Sequence, residues 1–525
     1  MQLAAQTQSV DDQPFYLIRR DASGGQNTRQ HATMIGENQF EKLQNIDLNI
    51  FGERVRRRGS TLIGDDVGAD SIVALHNYIR QGYNDVLLMV EDTNLQESEA
   101  EADWAVVKSD FTADDDVGIV QAKESSLTPN DVVFVNVGDS NWFRLHKDST
   151  GSWDEQDLGN TAGTGSDSPP QSTVGTWYRN RFWVLKNDQL YFSDAYDDDY
   201  SNCFDTVSNV FRIPVGEERG IAITRDTGMV VLGEEQIWGL APSITPAATD
   251  ASEPLVTNHG CVSKKGWTQV GDAIFYFAQD GFRELSRTIQ DKLQSGVSYP
   301  LSYQLKDAYD EISWGNISKL SMVYFDNRVL IAVPTGSDSF DTWVYYPATT
   351  AWTVWTGLSP RCWAKYKVLG DERLYYGKHE DGTVYRMLYG WTDEGTTTTN
   401  GTNIDMEEIS RNEDVGQPMV YKRGGEVEVK MRAIGDYDIN VAIEFDENGY
   451  NVLGTLNLAG GLVTFPTTFP VIFGDNIKYG KFHLDQYERW RTAQLKIYYS
   501  SGSGTSDVAI LEHNITGFIE EYETE

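Results

Sequence analysis

Short runs in which apolar and polar positions alternate recur from one end of this chain to the other. Examples are DVLLMV (85–90), WAVVKSDF (104–111), DVVFVNV (131–137), RFWVLK (181–186), MVVLG (229–233), AIFYFA (273–278), RVLIAVP (328–334), DTWVYYP (341–347) and RLYYGK (373–378). A period of two, or a short apolar run between turn signals, predicts β-strands. Polar clusters separate them: GDSN, KNDQ, AQDG, FDNR and HEDG. Their Asn, Asp and Gly tolerate the backbone of tight turns. Helical periodicity is scarce. Residues 299–313 (YPLSYQLKDAYDEIS) predict one short helix and 36–50 another. The expected class is mainly β.

The strands group into units of strand, polar turn, strand and aromatic close. KNDQLYFSDA (186–195), QDGFRELSR (279–287) and EDGTVYRMLYG (380–390) repeat this loosely. Roughly 330 residues of such material exceed a single sandwich, so the pattern favours a β-propeller-like central domain over 66–400 above two tandem sandwiches. Six or seven blades of about 45–50 residues fit that span. The polar, Thr- and Gly-rich stretch at 392–416 marks a boundary, with a linker over 401–414. Beyond it, VEVKMRA and YDINVAIEF alternate, and FDENGY offers an Asn-Gly hairpin turn. Residues 415–525 therefore predict a C-terminal β-sandwich. Residues 1–65 are less regular and form an N-terminal segment.

Composition narrows the function classes. Apolar residues make up 40% of the 525 and aromatics 12%, enough for a packed core. Net charge is −36, from 79 acidic and 43 basic residues. That balance argues against a surface that grips nucleic-acid backbone or an anionic membrane, and it fits a solvated acidic exterior, of which salt adaptation is one source. Cys203, Cys261 and Cys362 are scattered and form no C-x-x-C pair, so neither a disulfide framework nor a zinc site is expected. The N-terminal stretch lacks a basic segment before an apolar core, and no apolar run approaches bilayer length. Synthesis in a cytoplasm is the expectation.

Candidate chemistry is thin. A glycosidase propeller needs two carboxylates across a groove, and 79 acids allow any pair to be imagined. KDSTGSW (147–153) approaches a sialidase Asp-box, but Gly151 lies three residues after Asp148 rather than two, and the motif does not repeat. His31, His76, His146, His259, His379, His483 and His513 show no ligand spacing. No nucleophile elbow, P-loop or dinucleotide fingerprint occurs. Acidic runs at 114–116 and 197–199 lack the order of a calcium loop and read as charged turns. No catalytic residue, metal or cofactor is expected. The one dense basic cluster is Arg54, Arg56, Arg57 and Arg58. It contacts either phosphate or carboxylates of a neighbouring subunit or adaptor. Alternation with Glu53 and Val55 favours the second, on an edge strand at an interface.

Five segments, in order, resemble the tail nozzle (tail tubular protein B, or tail hub) family of short-tailed phages and related tailed viruses. They are GERVRRRGSTLIG (52–64), RNRFWVLKNDQLYFSDAYDDDYSNCFD (179–205), GMVVLGEEQIWGL (228–240), DAIFYFAQDGFRELS (272–286) and RVLIAVPTGSDSFDTWVYYPATTAWTVW (328–355). The resemblance covers about 50–400 and leaves the C-terminal module unplaced. It implies a structural virion protein without catalysis. Its copies, six by the family's habit, would form a ring below the portal adaptor, with tail fibres or spikes docked at the junction. Double-stranded DNA would pass through the lumen without specific binding. An acidic wall suits that role, because each Lys or Arg contact with phosphate adds affinity and hence friction. The alternatives are a carbohydrate-binding or glycan-cleaving propeller and another tail or baseplate adaptor.

Overall fold

The structure, a computed structural model, describes the chain except residues 1–12, 50, 69, 110, 112–115, 139, 159–167, 195–203, 225–227, 244, 248–249, 296–297, 397–400, 434–436, 459–476, 485–488, 503–507 and 521–525. Strands take up 56% of the chain and helices 5%, so the class is mainly β.

Seven small antiparallel sheets follow one another between residues 60 and 387 among the described residues. They lie at 72–108, 117–157, 174–212, 218–257, 267–284, 321–355 and 360–387, and we number them as blades one to seven. The first strand of each blade faces its neighbours around a common axis. These inner strands are Ile72–Tyr78, Val117–Lys123, Val174–Tyr178, Glu218–Thr224, Trp267–Val270, Ser321–Phe325 and Pro360–Val368. Apolar clusters fill the spaces between blades. Val73, Leu88 and Val90 of blade one meet Val133, Val135 and Leu145 of blade two. Leu185 and Phe211 of blade three meet Met229 and Val231 of blade four. Blade five has three strands, and the helix Leu285–Ser295 covers its outer side, with Leu285 packed beside Tyr276 and Val256. The ring closes with a strand from far upstream: Ser60–Ile63 pairs antiparallel with Val384–Met387 as the outermost strand of blade seven.

The second module is a β-sandwich built from both ends of the chain. One sheet carries Ile477–His483, Lys422–Ala433 and Val508–Ile519, then Gln13–Arg19, Arg54–Arg56 and Ile46–Leu48. The other runs Tyr450–Asn457, Tyr437–Phe445, Ala493–Gly502, Glu407–Glu413 and Lys42–Gln44. It does not stop there. Gln44 pairs parallel with Val354 of blade six, so nine strands run as one sheet from sandwich to propeller. The core is equally continuous. Val429, Ile443, Leu495 and Ile510 of the sandwich share one cluster with Leu43 and Ile46 and with Leu330, Trp355 and Tyr376 of blades six and seven.

Three expectations need correction. Residues 36–50 hold no helix but three strands of two or three residues, too short to carry a period. In 299–313 the helical part is broken into a 3₁₀ turn, Leu301–Gln304, and one helical turn, Lys306–Asp310. The stretch 401–414 is not a linker: Thr402–Asn403 pairs with Thr392–Asp393, and Glu407–Glu413 is an inner strand of the nine-stranded sheet. The FDENGY hairpin forms between Phe445 and Tyr450, with Asp446, Glu447 and Gly449 at positive φ.

Asp341, on the middle strand Phe340–Tyr346 of blade six, is mostly buried, and that burial, with Glu311 nearby, pushes its carboxyl up to about 6. A carboxyl raised in the folded state binds more protons there than in the unfolded chain between its two pKa values. Stability from this group is therefore present below about pH 4 and is lost as pH rises to about 6. Asp341→Asn should raise the unfolding temperature at pH 7, by at most about 3 kcal/mol in stability, and leave it unchanged near pH 4. Equal effects at both pH values in thermal unfolding would refute this.

Candidate functional site

The basic cluster lies where propeller meets sandwich. Arg54–Arg56 is a short strand between Ile46–Leu48 and the start of Val508–Ile519. Arg54, Arg56 and Arg57 are almost wholly buried by their own chain. Arg54 Nη1 donates to Glu408 Oε1 at 3.1 Å, and His513 Nδ1 lies 3.2 Å from the same oxygen. Arg56 Nη2 donates to the Trp391 carbonyl at 2.7 Å, with its guanidinium over Tyr437. Arg57 forms the densest set of contacts. Its Nε donates to Asn45 Oδ1 at 2.8 Å, its Nη1 and Nη2 grip Asp393 at 2.7 and 2.5 Å, and Nη2 also reaches the Thr356 carbonyl at 2.8 Å. These groups come from the N-terminal segment, the link between blades six and seven, and the hairpin after blade seven. The expectation that the cluster meets a neighbour's carboxylates is therefore corrected for these three residues: their partners are intramolecular. Alternation with Val55 reflects a strand between two strands, not an exposed edge.

Arg58 alone of the four is exposed, stacked over Trp391 at 4.9 Å and without an ion pair among the described residues. It opens onto a cleft of about 690 Å³ between the sandwich and blades six and seven. Arg56, Arg58, Arg328, Arg373 and Arg386 line it, with Asp47, Asp326, Asp371 and Glu372. Arg328 is held by Asp47 at 2.5 Å and Asp326 at 2.8 Å. Arg373 is held by Glu101 at 2.8 Å and Asp371 at 3.0 Å. Arg386 stands 3.9 Å from Glu101 and Asp371 and rests on Tyr389 at 4.1 Å. The cleft thus keeps two loosely held cations, Arg58 and Arg386. In a chain of net charge −36, that is a local reversal of sign suited to an incoming carboxylate or phosphate. Arg328, Arg373 and Arg386 were not singled out in the sequence. Only the fold brings them to one cleft.

A second site lies on the propeller axis. Two cavities of about 260 and 190 Å³ are lined by the inner strands, and both border Lys264, Lys265 and Trp267. Lys264 Nζ donates to Asp116 Oδ2 at 2.7 Å and Thr173 Oγ1 at 3.1 Å, and Lys265 Nζ to the Val73 carbonyl at 2.6 Å. The two lysines tether the entry to blade five to blades one, two and three, and so divide the passage.

Other candidate chemistry resolves into structure. The KDSTGSW segment is a hairpin turn in which Asp148 Oδ1 accepts from the Thr150 and Ser152 backbone N–H groups. Cys261 and Cys362 are free and buried, and burial pushes both thiols up to about 11, away from nucleophilic use. Cys203 and the 197–199 run lie outside the described residues, as does most of the 114–116 run, of which Asp116 is described. Among the described residues no group of three or more His, Cys, Asp or Glu gathers as a metal site.

The chain matches no family model and no curated protein. Solved structures with some likeness include the extracellular domain of the hybrid two-component system BT3049 from B. thetaiotaomicron, at 9% identity and TM-score 0.39, over 60% of this chain and 40% of that one. BBS1N in complex with ARL6DN aligns at 11% identity and TM-score 0.37, over 65% of this chain and 99% of that one. An exo-β-1,3-galactanase from Phanerochaete chrysosporium aligns at 9% and 0.26, over 87% and 100%.

Arg57→Ala should destabilise the protein by about 3–5 kcal/mol, because it strands a buried carboxylate. Arg58→Ala should change stability by no more than about 0.5 kcal/mol. Denaturant unfolding of both variants checks the pair, and equal costs would show that Arg57 is no clamp.

Proposed function

We propose that this chain is a structural protein of a virus tail, a nozzle subunit whose copies close a ring through which genomic DNA is retained and then conducted. The observation that carries this reading is the joining of propeller to sandwich by one nine-stranded sheet and one core. That construction suits a rigid building block and leaves no hinge at which a cleft could close on substrate. The five ordered segments that resemble the nozzle family lie almost wholly in the propeller and in the Arg57 region.

Three further features support it. The propeller axis is crossed by Lys264 and Lys265, so a duplex would run between copies, not through one. The carboxyls pushed up by burial, Asp341, Glu91 and Glu413, line none of the cavities described, which disfavours a glycosidase acid in a groove. Among the described residues the strand Gln13–Arg19 pairs on one side only, with Val508–Ile519, and exposes Tyr16 and Ile18. An open edge of this kind accepts a further strand. In the ring, Arg58 and Arg386 take acidic groups of a neighbouring copy or of the portal adaptor, and cyclic symmetry closes the contact.

Electron microscopy of the purified chain, alone and with its adaptor, tests the proposal. Rings with an open central pore are expected. Stable monomers that cleave a glycan would overturn it. Arg58→Glu with Arg386→Glu should leave the monomer folded and lower ring yield at least tenfold, with wild-type assembly weakening as salt rises. Ring formation unaffected by this double variant would remove the cleft from the interface.

A further inference from the structure

A pocket of about 360 Å³ shares no lining residue with the cleft or the axial cavities. Three parts of the chain build it: the turn of blade five at Asp280, the segment from Ser298 to Tyr309 that leads to blade six, and Arg29 of the N-terminal segment. Hydrogen bonds fix these walls to one another. Tyr309 OH donates to the Gln279 carbonyl at 2.8 Å, and the Phe282 N–H to Ser302 Oγ at 3.0 Å. The Thr28 N–H donates to the Gln304 carbonyl at 2.9 Å, and the Asp307 N–H to Thr28 Oγ1 at 3.0 Å. Arg283 is almost wholly buried behind the pocket, and it donates to Asp280 Oδ1 at 2.9 Å and to Ser298 Oγ at 3.0 Å. The lining is therefore set before any ligand arrives, which lowers the cost of binding one.

The groups at its mouth are open to solvent and define the ligand. Tyr299 is 61% exposed and Tyr303 43%, with ring centroids 5.0 Å apart. A tyrosine offers a flat apolar body with a polar tip. A sugar ring is its counterpart, with a C–H face and a rim of hydroxyls. Asp280 keeps a half-exposed carboxylate, whose oxygens accept further hydrogen bonds from such hydroxyls. Charge narrows the class. Asp280 is paired with Arg283, and Lys306 with Asp310. Arg29 is exposed, lies over Tyr303 at 4.0 Å and donates from Nη2 to its hydroxyl at 3.1 Å, and makes no ion pair among the described residues. It is the one lining charge without an opposite charge beside it, and its forked N–H groups match a carboxylate. Asp280 is the sole carboxylate of the lining, so the pair needed for glycoside hydrolysis is absent from it. The volume falls at the lower end of the ~300–1,000 Å³ of small-molecule sites.

We propose that this pocket binds a carboxylated sugar of one or two rings, without cleaving it. The C–H face packs on Tyr299, the carboxylate meets Arg29, and hydroxyls reach Asp280 and the Tyr303 hydroxyl. The site lies within one copy of the chain, so it does not depend on ring formation, and its failure would leave the nozzle reading untouched.

The test is titration of the full chain with sodium glucuronate at constant ionic strength, read by calorimetry and by saturation-transfer NMR on the ligand protons. Saturable binding with a dissociation constant of about 0.1–10 mM is expected, and glucose should bind about tenfold more weakly. Arg29→Gln should weaken glucuronate about tenfold and leave glucose unchanged. Tyr299→Ala should weaken both about tenfold. Both side chains are exposed, so the variants keep the fold, which their unfolding temperatures check. Sodium acetate and sodium benzoate serve as the bare carboxylate and the aromatic one. No saturable response to glucuronate, equal affinity for glucose, equal affinity in wild type and both variants, or binding of acetate or benzoate as tight as glucuronate would each overturn the proposal.

Discussion

The constraint on which this fold depends is the closure of a ring by a chain whose ends must also build a second module. Arg57 is where that constraint is met. Its guanidinium joins Asn45 to Thr356 and Asp393, which lie more than three hundred residues further along the chain. Two residues on, Gly59 passes so close to the Thr392 carbonyl that a Cβ there would lie 1.9 Å from its oxygen. Ser60 then begins the strand that seals blade seven. Bringing Ile63 to Val384 closes a loop whose entropy costs roughly 5 kcal/mol by the logarithmic law. The four residue pairs of the seam, at about 1 kcal/mol net per hydrogen bond, are comparable to that cost. Charge-assisted bonds of about 1.5–3 kcal/mol each at Arg57 shift the balance toward closure. The desolvation of the guanidinium is offset because its forked donors all find acceptors.

The same geometry explains what could and could not be read in the sequence. Blade strands were legible because each alternates or runs apolar between turn signals, and because partners lie within a few tens of residues. The propeller was therefore visible from DVLLMV to RLYYGK. The sandwich was visible only in its C-terminal half. Its remaining strands, Gln13–Arg19, Lys42–Gln44, Ile46–Leu48 and Arg54–Arg56, are short and carry no period, and they owe their conformation to partners near residues 407 and 510. The arginine cluster was misread for the same reason. An Arg-Val-Arg strand looks like a solvated edge until Glu408 and Asp393 are placed behind it. The axial site left its residues on inner strands without any spacing signal, since a period of two tells inside from outside but not which inside positions face the axis.

Burial of the arginines bears on the charge of the whole. Arg54 with Glu408, Arg57 with Asp393 and Arg144 with Glu124 are nearly neutral pairs withdrawn from solvent. They leave the net charge of −36 to the surface. Cations that a composition count assigns to the exterior are spent inside, so the exterior is more uniformly acidic than 43 basic residues suggest. Like-charged copies repel, although at physiological salt that repulsion reaches only about 8 Å. In the ring we propose, contact between copies depends on the few places where the sign reverses, and the cleft with Arg58 and Arg386 is such a place.

The two openings in this molecule differ in size and in lining. A duplex cannot use the propeller axis: the larger cavity there holds about 260 Å³, and the lysines that cross it are held by partners in three blades. A B-form major groove alone is about 12 Å wide. In the ring we propose, the conduit is made between subunits, from surfaces whose acidity keeps phosphate off the wall. The cations of Lys264 and Lys265, which on a lumen wall would hold DNA, are half-buried on the axis and held by Asp116, Thr173 and the Val73 carbonyl. The distribution of basic residues, more than their number, is what lets one acidic chain combine firm internal joints with a strongly acidic surface.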